Sequence, residues 1–520
     1  MGGEFPAWES DGKKVHWSLG ASHFVFDVDR ADFFDDSLKI AKKVEDKKLA
    51  DSLAIAKKDT SKAKLDTAKT INAKTNTKKE EPKYKAEETE VKVYFEKDMP
   101  QSMVLLKGAR IITMKGNEVI ENGDILIENN RIKAIGKRGS LKVPQGIQQM
   151  DMNGKTIVPG FVDVHAHMWP NWGIHKNQIW IYAINLAYGV TTTRDPQTAT
   201  TDVLTYGDMV EAGKMIGPRI YSTGPGVGYW DYNIKDSAQA ESVLKQYSKY
   251  YHTKYIKMYL SGNRQQREWI IMAAKNQQIM PTTEGGLNFK LNMTNLLDGY
   301  PGHEHAIPIY PLYKDVIHTI AESRMIVTPT LIVSYGGPFA ENYFWETEEP
   351  YHDAKLQHFM PYEELASKTR RVGAGWFMKE EQVFPKHAKS MKALVEANGL
   401  AGIGSHGEFQ GMGYHWEMWA MQSGGMKNID VLKVATILGA TGLGLDKDLG
   451  SLEKGKLADL VILDKNPLEN IRNTNTVHFV MKNGRLYDGN TCDEVYPAKK
   501  KLDRSEWNFE KPIRTTEVNE

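Results

Sequence analysis

The stretch Pro159–Trp169, PGFVDVHAHMW, places His165 and His167 two residues apart at the end of an apolar run. In a strand, residues i and i+2 share one face. Two neutral imidazoles on one face can ligate a divalent metal at neutral pH. Asp163 lies on the same face, one step back. A histidine pair at a strand end also fits local hydrogen bonding, so other groups must decide. Lys257 interrupts the strand-like run YIKMY, and a buried lysine is costly unless neutralised or modified. Outward snorkelling is its alternative. Glu284 ends IMPTTEGG, His303 and His305 flank Glu304 in YPGHEHAI, and His406 sits two before Glu408 in GIGSHGE. Each closes a short apolar segment. Together they would bring nitrogen and oxygen donors from several strands to one hydrolytic metal site. Ligand softness puts Zn2+ first, with Mn2+ and Fe2+ as alternatives.

Further groups sit near the same strand ends. Arg194 and Asp195 in TTTRDP could orient substrate, or form a buried ion pair that supports a loop. Tyr335 and His415 are pocket-lining candidates, with packing on the barrel rim as the alternative. Trp169, Trp172 and Trp230 could line an aromatic pocket, whereas Trp416 and Trp419, three apart on a helical stretch, read as core.

Positioning these groups requires a parallel α/β scaffold. Strand-like runs such as TIVPGFVDVHAH, GVTTTRD, YIKMYL, MIVTPTLIV and GLAGIGSHGE alternate with helical stretches over nearly 300 residues. A (β/α)8 TIM barrel fits best, because barrel chemistry gathers at C-terminal strand ends. The rival doubly wound sheet predicts a glycine-rich fingerprint after the first strand, and none is present. Strand pairs at MVLLKGARIITM and DILIENNRIKAIG on one side, and at ADLVILDKNP and VHFVMKNGRLYDG on the other, bracket the barrel.

The remaining composition sets limits. The 520 residues carry 67 basic and 66 acidic side chains, a formal net charge of +1, which argues against a broadly basic nucleic-acid binder. No run of 18 apolar residues predicts a membrane span. The one cysteine, Cys492, excludes an intrachain disulfide framework and lies beyond every proposed donor. Residues 1–30 read as strand material around a turn at Asp11-Gly12, in need of a partner sheet. From residue 37 to about 90 the chain is rich in Lys, Asp, Ala, Thr and Glu: a surface helix first, then a solvated linker.

These motifs resemble the amidohydrolase superfamily, in the imidazolonepropionase and prolidase-like branch, over roughly residues 103–490. VPGFVDVHAH opens the match, and ATILGATGLGLDKDLGSLEKGKLADLVILDKNP closes it. The resemblance implies a (β/α)8 barrel with a small β-sandwich built from sequence on both sides of it. It implies cleavage of an amide-type C–N bond in a cyclic amide or dipeptide-like substrate, with one or two metals activating water. His165 and His167 would be the first-strand metal pair, Lys257 the bridging lysine, often carboxylated, and His305 the sixth-strand histidine. Thr282 stands where a fifth-strand histidine is expected, and His406 where an eighth-strand aspartate is expected. Glu284 could substitute as ligand or as base, and His406 could ligate, act as base, or do both.

GSHGEFQGMGYHWEMWAMQSGGM resembles amidohydrolase domains attached behind a TolB-like β-propeller, and PAWESDGKKVHWSLGASHFVFDVD resembles the last strands of such a propeller. The implied layout is a partial propeller edge over 1–30, a lysine-rich linker or insertion over 31–98, sandwich segments over 99–155 and 448–495, the barrel over 156–447, and a tail over 496–520. Implied partners are a small-molecule or short-peptide substrate, the missing propeller portion as a separate chain or fragment, and further copies in a homo-oligomer. An upstream signal would make the protein periplasmic or secreted; otherwise it would be cytoplasmic. A metal-dependent esterase, lactonase or phosphoesterase, and a non-catalytic assembly module, are the competing functions.

Overall fold

The computed structural model describes residues 3–59, 82–169, 175–228, 233–259, 262–333, 335–369, 377–505 and 507. They form two compact units, Met1–Tyr94 and Phe95–Glu520. Most of the tail expected over 496–520, and residues 60–81 of the lysine-rich tract, lie outside the described residues. Among the described residues no helix is long and apolar enough to cross a membrane.

In the first unit, Glu4–Trp8, Lys14–Leu19, Ser22–Asp27 and Glu87–Glu90 form an antiparallel four-stranded sheet in that order. The turn at Asp11-Gly12 is where the sequence places it, with Gly12 at φ 68°. Trp17 and Phe24 stack across the sheet at 5.4 Å. A helix, Val28–Asp59, follows the third strand directly. The fourth strand differs from the expected solvated linker. EETE has no apolar alternation and all four residues are exposed, so backbone pairing holds it, aided by an Arg30–Glu87 ion pair of 2.6 Å.

In the second unit, eight short parallel strands are described: Phe161–Asp163, Val190–Asp195, Arg219–Ser222, Tyr255–Met258, Met280–Glu284, Gly302–Glu304, Ile326–Thr328 and Leu400–Ala401. A parallel bridge between Val227 and Met258 joins the third strand's end to the fourth, and one between Asp163 and Ile403 joins the first to the eighth. The strands therefore close into a barrel. Helices such as Trp180–Ala187, Arg264–Asn276 and Phe384–Glu396 separate them in sequence, as the alternating pattern requires. The longest connection runs from the seventh strand to the eighth and carries Ala340–Glu348 and Tyr362–Thr369.

Nine strands from both sides of the barrel form one further hydrogen-bonded sheet. Met103–Ile112 pairs with Val119–Glu128 along one side, and in parallel with Gln148–Asp151 and then Thr156–Pro159 along the other. Leu460–Leu463 pairs with Thr156–Pro159, which joins the two sequence segments. Period-two alternation divides this sheet between two cores. Ile157, Leu460 and Ile462 enter the sheet's own cluster with Val104 and Ile125, while Val158, Val461 and Leu463 enter the barrel's cluster.

Trp416 and Trp419 are buried in the barrel cluster, as their helical spacing predicts. His415 is a core residue rather than a pocket group. Its Nε2 faces the Tyr188 carbonyl at 2.9 Å and its Nδ1 the Thr474 hydroxyl at 3.1 Å. Burial pushes its pKa down to about 3. In the unfolded chain it titrates near ~6.5. Below that pH the unfolded state takes up a proton that the folded state refuses. Its stabilising contribution is thus complete above the unfolded value and is lost as pH falls toward the folded one. Chemical denaturation at pH 7 and pH 5 should show a loss of about 1–2 kcal/mol from this group. His415→Gln should reduce that pH dependence by the same amount, and an unchanged dependence would refute the assignment.

Candidate metal centre

The C-terminal ends of the barrel strands gather most of the expected donors. One ring nitrogen each from His165, His305 and His406 lie within 4.8 Å of one another. They follow the first, sixth and eighth strands respectively. The His167 ring lies 5.3 Å from that of His165 and 4.8 Å from that of His406. Local backbone geometry is specialised for this convergence. His305 and His406 have φ of 70° and 60°, a region non-glycine residues rarely occupy. At Gly404 a Cβ would lie 2.7 Å from the Cβ of His165, so only glycine lets the eighth strand approach so closely.

The hydrogen bonds fix how the imidazoles face. His165 Nδ1 lies 2.6 Å from a Glu304 oxygen, and its buried Nε2 has no hydrogen-bond partner among the described residues. His167 Nδ1 lies 3.1 Å from the Gln197 carbonyl and must donate to it. The Thr330 hydroxyl donates to the Pro329 carbonyl, so it accepts from His305 Nδ1 at 2.5 Å. His406 Nδ1 lies 3.3 Å from Glu408. For His165, His167 and His305 Nδ1 is directed at an acceptor, which leaves the Nε2 lone pair as the free donor, whereas the buried Nδ1 of His406 makes no hydrogen bond among the described residues. The Nε2 of His305 faces a Glu284 oxygen at 2.9 Å, so two acceptors meet where only a cation or a proton reconciles them. Burial, followed by Lys257 and neighbouring imidazoles, drives the pKa of His165 well below its ordinary value. Burial likewise pushes His167 down to about 3, so both rings stay neutral. This donor set fits a divalent metal.

Lys257 is buried inside the barrel rather than snorkelling outward, and pairs with Glu284 at 2.6 Å. The Tyr335 hydroxyl donates to Glu284 at 2.7 Å, and its ring stacks on His305 at 4.6 Å, which places Tyr335 at the site. Burial alone would raise the pKa of Glu284, but Lys257 and then His305 hold it well below the usual range. Asp163 is buried beneath the histidines and accepts from the backbone N–H groups of His165 and Ser405. Burial raises its pKa to about 6.

Arg194 and Asp195 support the site from behind. Arg194 donates to the Val164 carbonyl at 2.8 Å and pairs with Glu304, which is the buried ion pair of its two readings. Asp195 accepts from the Gln197 N–H at 3.2 Å, and the Gln197 carbonyl in turn accepts from His167 and from the indole of Trp169. Trp172 and Trp230 lie outside the described residues. His303 alternates with Glu304 on the sixth strand and is buried away from the three converging rings.

Glu304 is the residue that sequence reasoning passed over. Its fully buried carboxylate meets His165, Arg194 and the hydroxyl of Thr282. Thr282 therefore serves this carboxylate at the position where a histidine was expected. The pleat separates Glu304 from His303, but His305 turns at φ 70° just past the strand and joins Glu304 on the inner side, so alternation alone does not single it out.

A cleft of about 460 Å³ opens beside the donors, lined in part by His167, His406, Trp169, Trp180 and Glu408. The amidohydrolase family profile matches residues 156–487, well over half of the chain. The chain belongs to the amidohydrolase family. This family member is also similar to the dihydroorotase of Listeria welshimeri, 39% identical over 77 residues, or 15% of this chain and 17% of the dihydroorotase. The match thus spans about a sixth of that relative's length. Among solved structures it resembles a Xaa-Pro dipeptidase with bound methionine, at TM-score 0.58 and 20% identity, covering 74% of this chain and 100% of the other. Molinate hydrolase superposes at TM-score 0.58 and 18% identity, covering 76% and 96%. At these identities the structural likeness is one of fold.

Removing Glu304 should test its place in this amidohydrolase barrel. Glu304→Ala leaves the Arg194 charge buried without its partner, which costs about 3–5 kcal/mol. Equilibrium denaturation of the metal-free protein should show that loss. A change below about 1 kcal/mol would mean that Glu304 does not compensate the buried guanidinium.

Proposed function

We propose that this protein is a metal-dependent hydrolase of an amide-type C–N bond in a small cyclic amide or a short peptide. The observation that carries the reading is the convergence of ring nitrogens from His165, His305 and His406 with His167 beside them, the Nδ1 atoms of His165, His167 and His305 being committed to acceptors. His165, His167 and His305 would hold the metal, with Glu284 completing the set and Lys257 adjacent, unmodified or carboxylated. Zn2+ suits imidazole and carboxylate donors best, ahead of Mn2+ and Fe2+. When bound, a divalent cation supplies Lewis acidity, lowering the pKa of a water and polarising the scissile carbonyl.

The chain's own residues do the remainder. His406 takes the proton of the attacking water and delivers it to the leaving nitrogen. Its place in the cleft supports this role, and the Glu408 carboxylate lies 3.3 Å from its Nδ1. The neighbouring His406 ring, assisted by Lys368, holds Glu408 down at about 2, so it stays anionic beside the imidazole. Tyr335 fixes Glu284 against His305. A Xaa-Pro dipeptidase and molinate hydrolase, which share the fold, are both hydrolases, in keeping with this reading.

The first unit supports a propeller reading. Four antiparallel strands are the content of one propeller blade. Its outer strand, Glu4–Trp8, carries Phe5 and Trp8 exposed, as a strand made to meet a further blade would. We infer that a propeller portion, on this or another chain, and further copies of the catalytic unit in a homo-oligomer are its partners.

Elemental analysis with chelation and metal return tests the hydrolytic reading. Hydrolysis of a dipeptide panel should fall at least about 100-fold on chelation and recover with Zn2+ or Mn2+. No bound metal and no recovery would reject the reading. Hydrolysis of esters or phosphoesters with amides untouched would reassign it. His406→Ala should lower kcat by about 10²–10⁴-fold while metal content holds. Loss of metal in that variant would instead place His406 among the ligands.

A further inference from the structure

The cleft beside the donors has a chemistry that the hydrolytic reading leaves unused. One wall is aromatic. Trp169 is 55% exposed, and its indole N–H is fixed to the Gln197 carbonyl at 3.2 Å. Trp180, at the start of the helix after the first barrel strand, lines the cleft with it. Another part of the lining comes from the helix Tyr362–Thr369, in the long connection between the seventh and eighth strands, which contributes Glu364 and Lys368.

The charges on that part are not balanced. The Lys368 ammonium lies 3.4 Å from Glu408, whose other oxygen faces His406. Lys368 is therefore already engaged. The Glu364 carboxylate is exposed and makes no ion pair among the described residues. Among the described residues lining the cleft, two carboxylates and one ammonium leave one negative charge in excess. Aromatic faces attract cations through their quadrupole, and a carboxylate beside them adds a charge-assisted hydrogen bond. At about 460 Å³, the space accommodates an amino-acid-sized group.

We infer that this cleft is a subsite for an organic cation, in which the ammonium of a basic amino-acid side chain is held by Glu364 against Trp169 and Trp180. The substrate role rests on the hydrolytic reading above, whereas cation binding does not. The subsite adjoins His406, so a seated cation lies next to the reacting end of the cleft.

Two measurements on the full chain separate these claims. The first is isothermal titration of n-butylammonium, n-butanol and butyrate. The ammonium should bind at least about tenfold more tightly than either other probe. Glu364→Gln, at an exposed helix position, should erase that preference, and Trp169→Ala should weaken it. Equal binding of the three probes, tighter binding of butyrate, or an unchanged preference in Glu364→Gln would overturn the subsite. The second compares kcat/KM for lysyl and norleucyl dipeptides that share one C-terminal residue. The lysyl peptide should be preferred at least about tenfold, and that ratio should collapse in Glu364→Gln. Cleavage of both peptides without preference would reject the subsite while leaving the hydrolytic reading intact. Cation selectivity that depends on Glu364, with neither peptide cleaved under metal return, would support the subsite and count against the hydrolytic reading.

Discussion

The buried carboxylate of Glu304 is the constraint from which the site's geometry follows. A carboxylate without water costs several kcal/mol unless its lone pairs are met. Here His165, Arg194 and Thr282 meet them. These partners come from the first, second and fifth strands, so one side chain on the sixth strand ties four strands together. It also fixes a tautomer. With Nδ1 of His165 committed to Glu304, only Nε2 is left to face the centre. Arg194 does its part without touching the cleft, because its guanidinium is held between Glu304 and the Val164 carbonyl.

Two other imidazoles repeat this arrangement with different acceptors, a carbonyl for His167 and a hydroxyl for His305, while His406 Nδ1 lies 3.3 Å from the half-buried Glu408 carboxylate. The acceptors differ because the backbone differs. His165 and His167 continue directly from a strand, while His305 and His406 turn at positive φ just beyond theirs. A left-handed residue reverses the chain locally and lets a side chain after the strand end point back over the barrel mouth. The strain at those positions, of order 1–3 kcal/mol each, is offset by the packed barrel beneath.

Much of this was legible before any coordinates. The alternation of apolar runs and helices specifies the barrel, because period and length are sequence properties. The donors were legible as polar residues ending apolar runs, which is what a barrel rim requires. Three things were not. Glu304 hides between two histidines, and the positive φ at His305, which brings that ring inward beside Glu304, leaves no mark in the sequence. Glu87–Glu90 carries no apolar signal, since its pairing rests on backbone groups that every residue possesses. His415 and His406 look alike as letters, yet one ends an apolar run at the rim and the other lies inside a core helix bonded to Tyr188 and Thr474. Histidine serves either place equally well, so type alone could not separate them.

The long connection between the seventh and eighth strands links recognition to chemistry. Its helix Tyr362–Thr369 lines the cleft through Glu364 and Lys368, and Lys368 reaches Glu408, which lies beside His406. The loop after the eighth strand is fixed from the other side, where a Cβ at Gly407 would lie 2.5 Å from the His167 carbonyl oxygen. His406 is thus held between a rigid backbone contact and a chain of two charged side chains. Coulomb interactions in a partly desolvated cleft are stronger than in water. A charged group entering beside Glu364 therefore acts on the Lys368–Glu408 pair as well as on its own partner. The barrel sets where the imidazoles stand, and the variable connection sets the electrostatic surroundings in which one of them works.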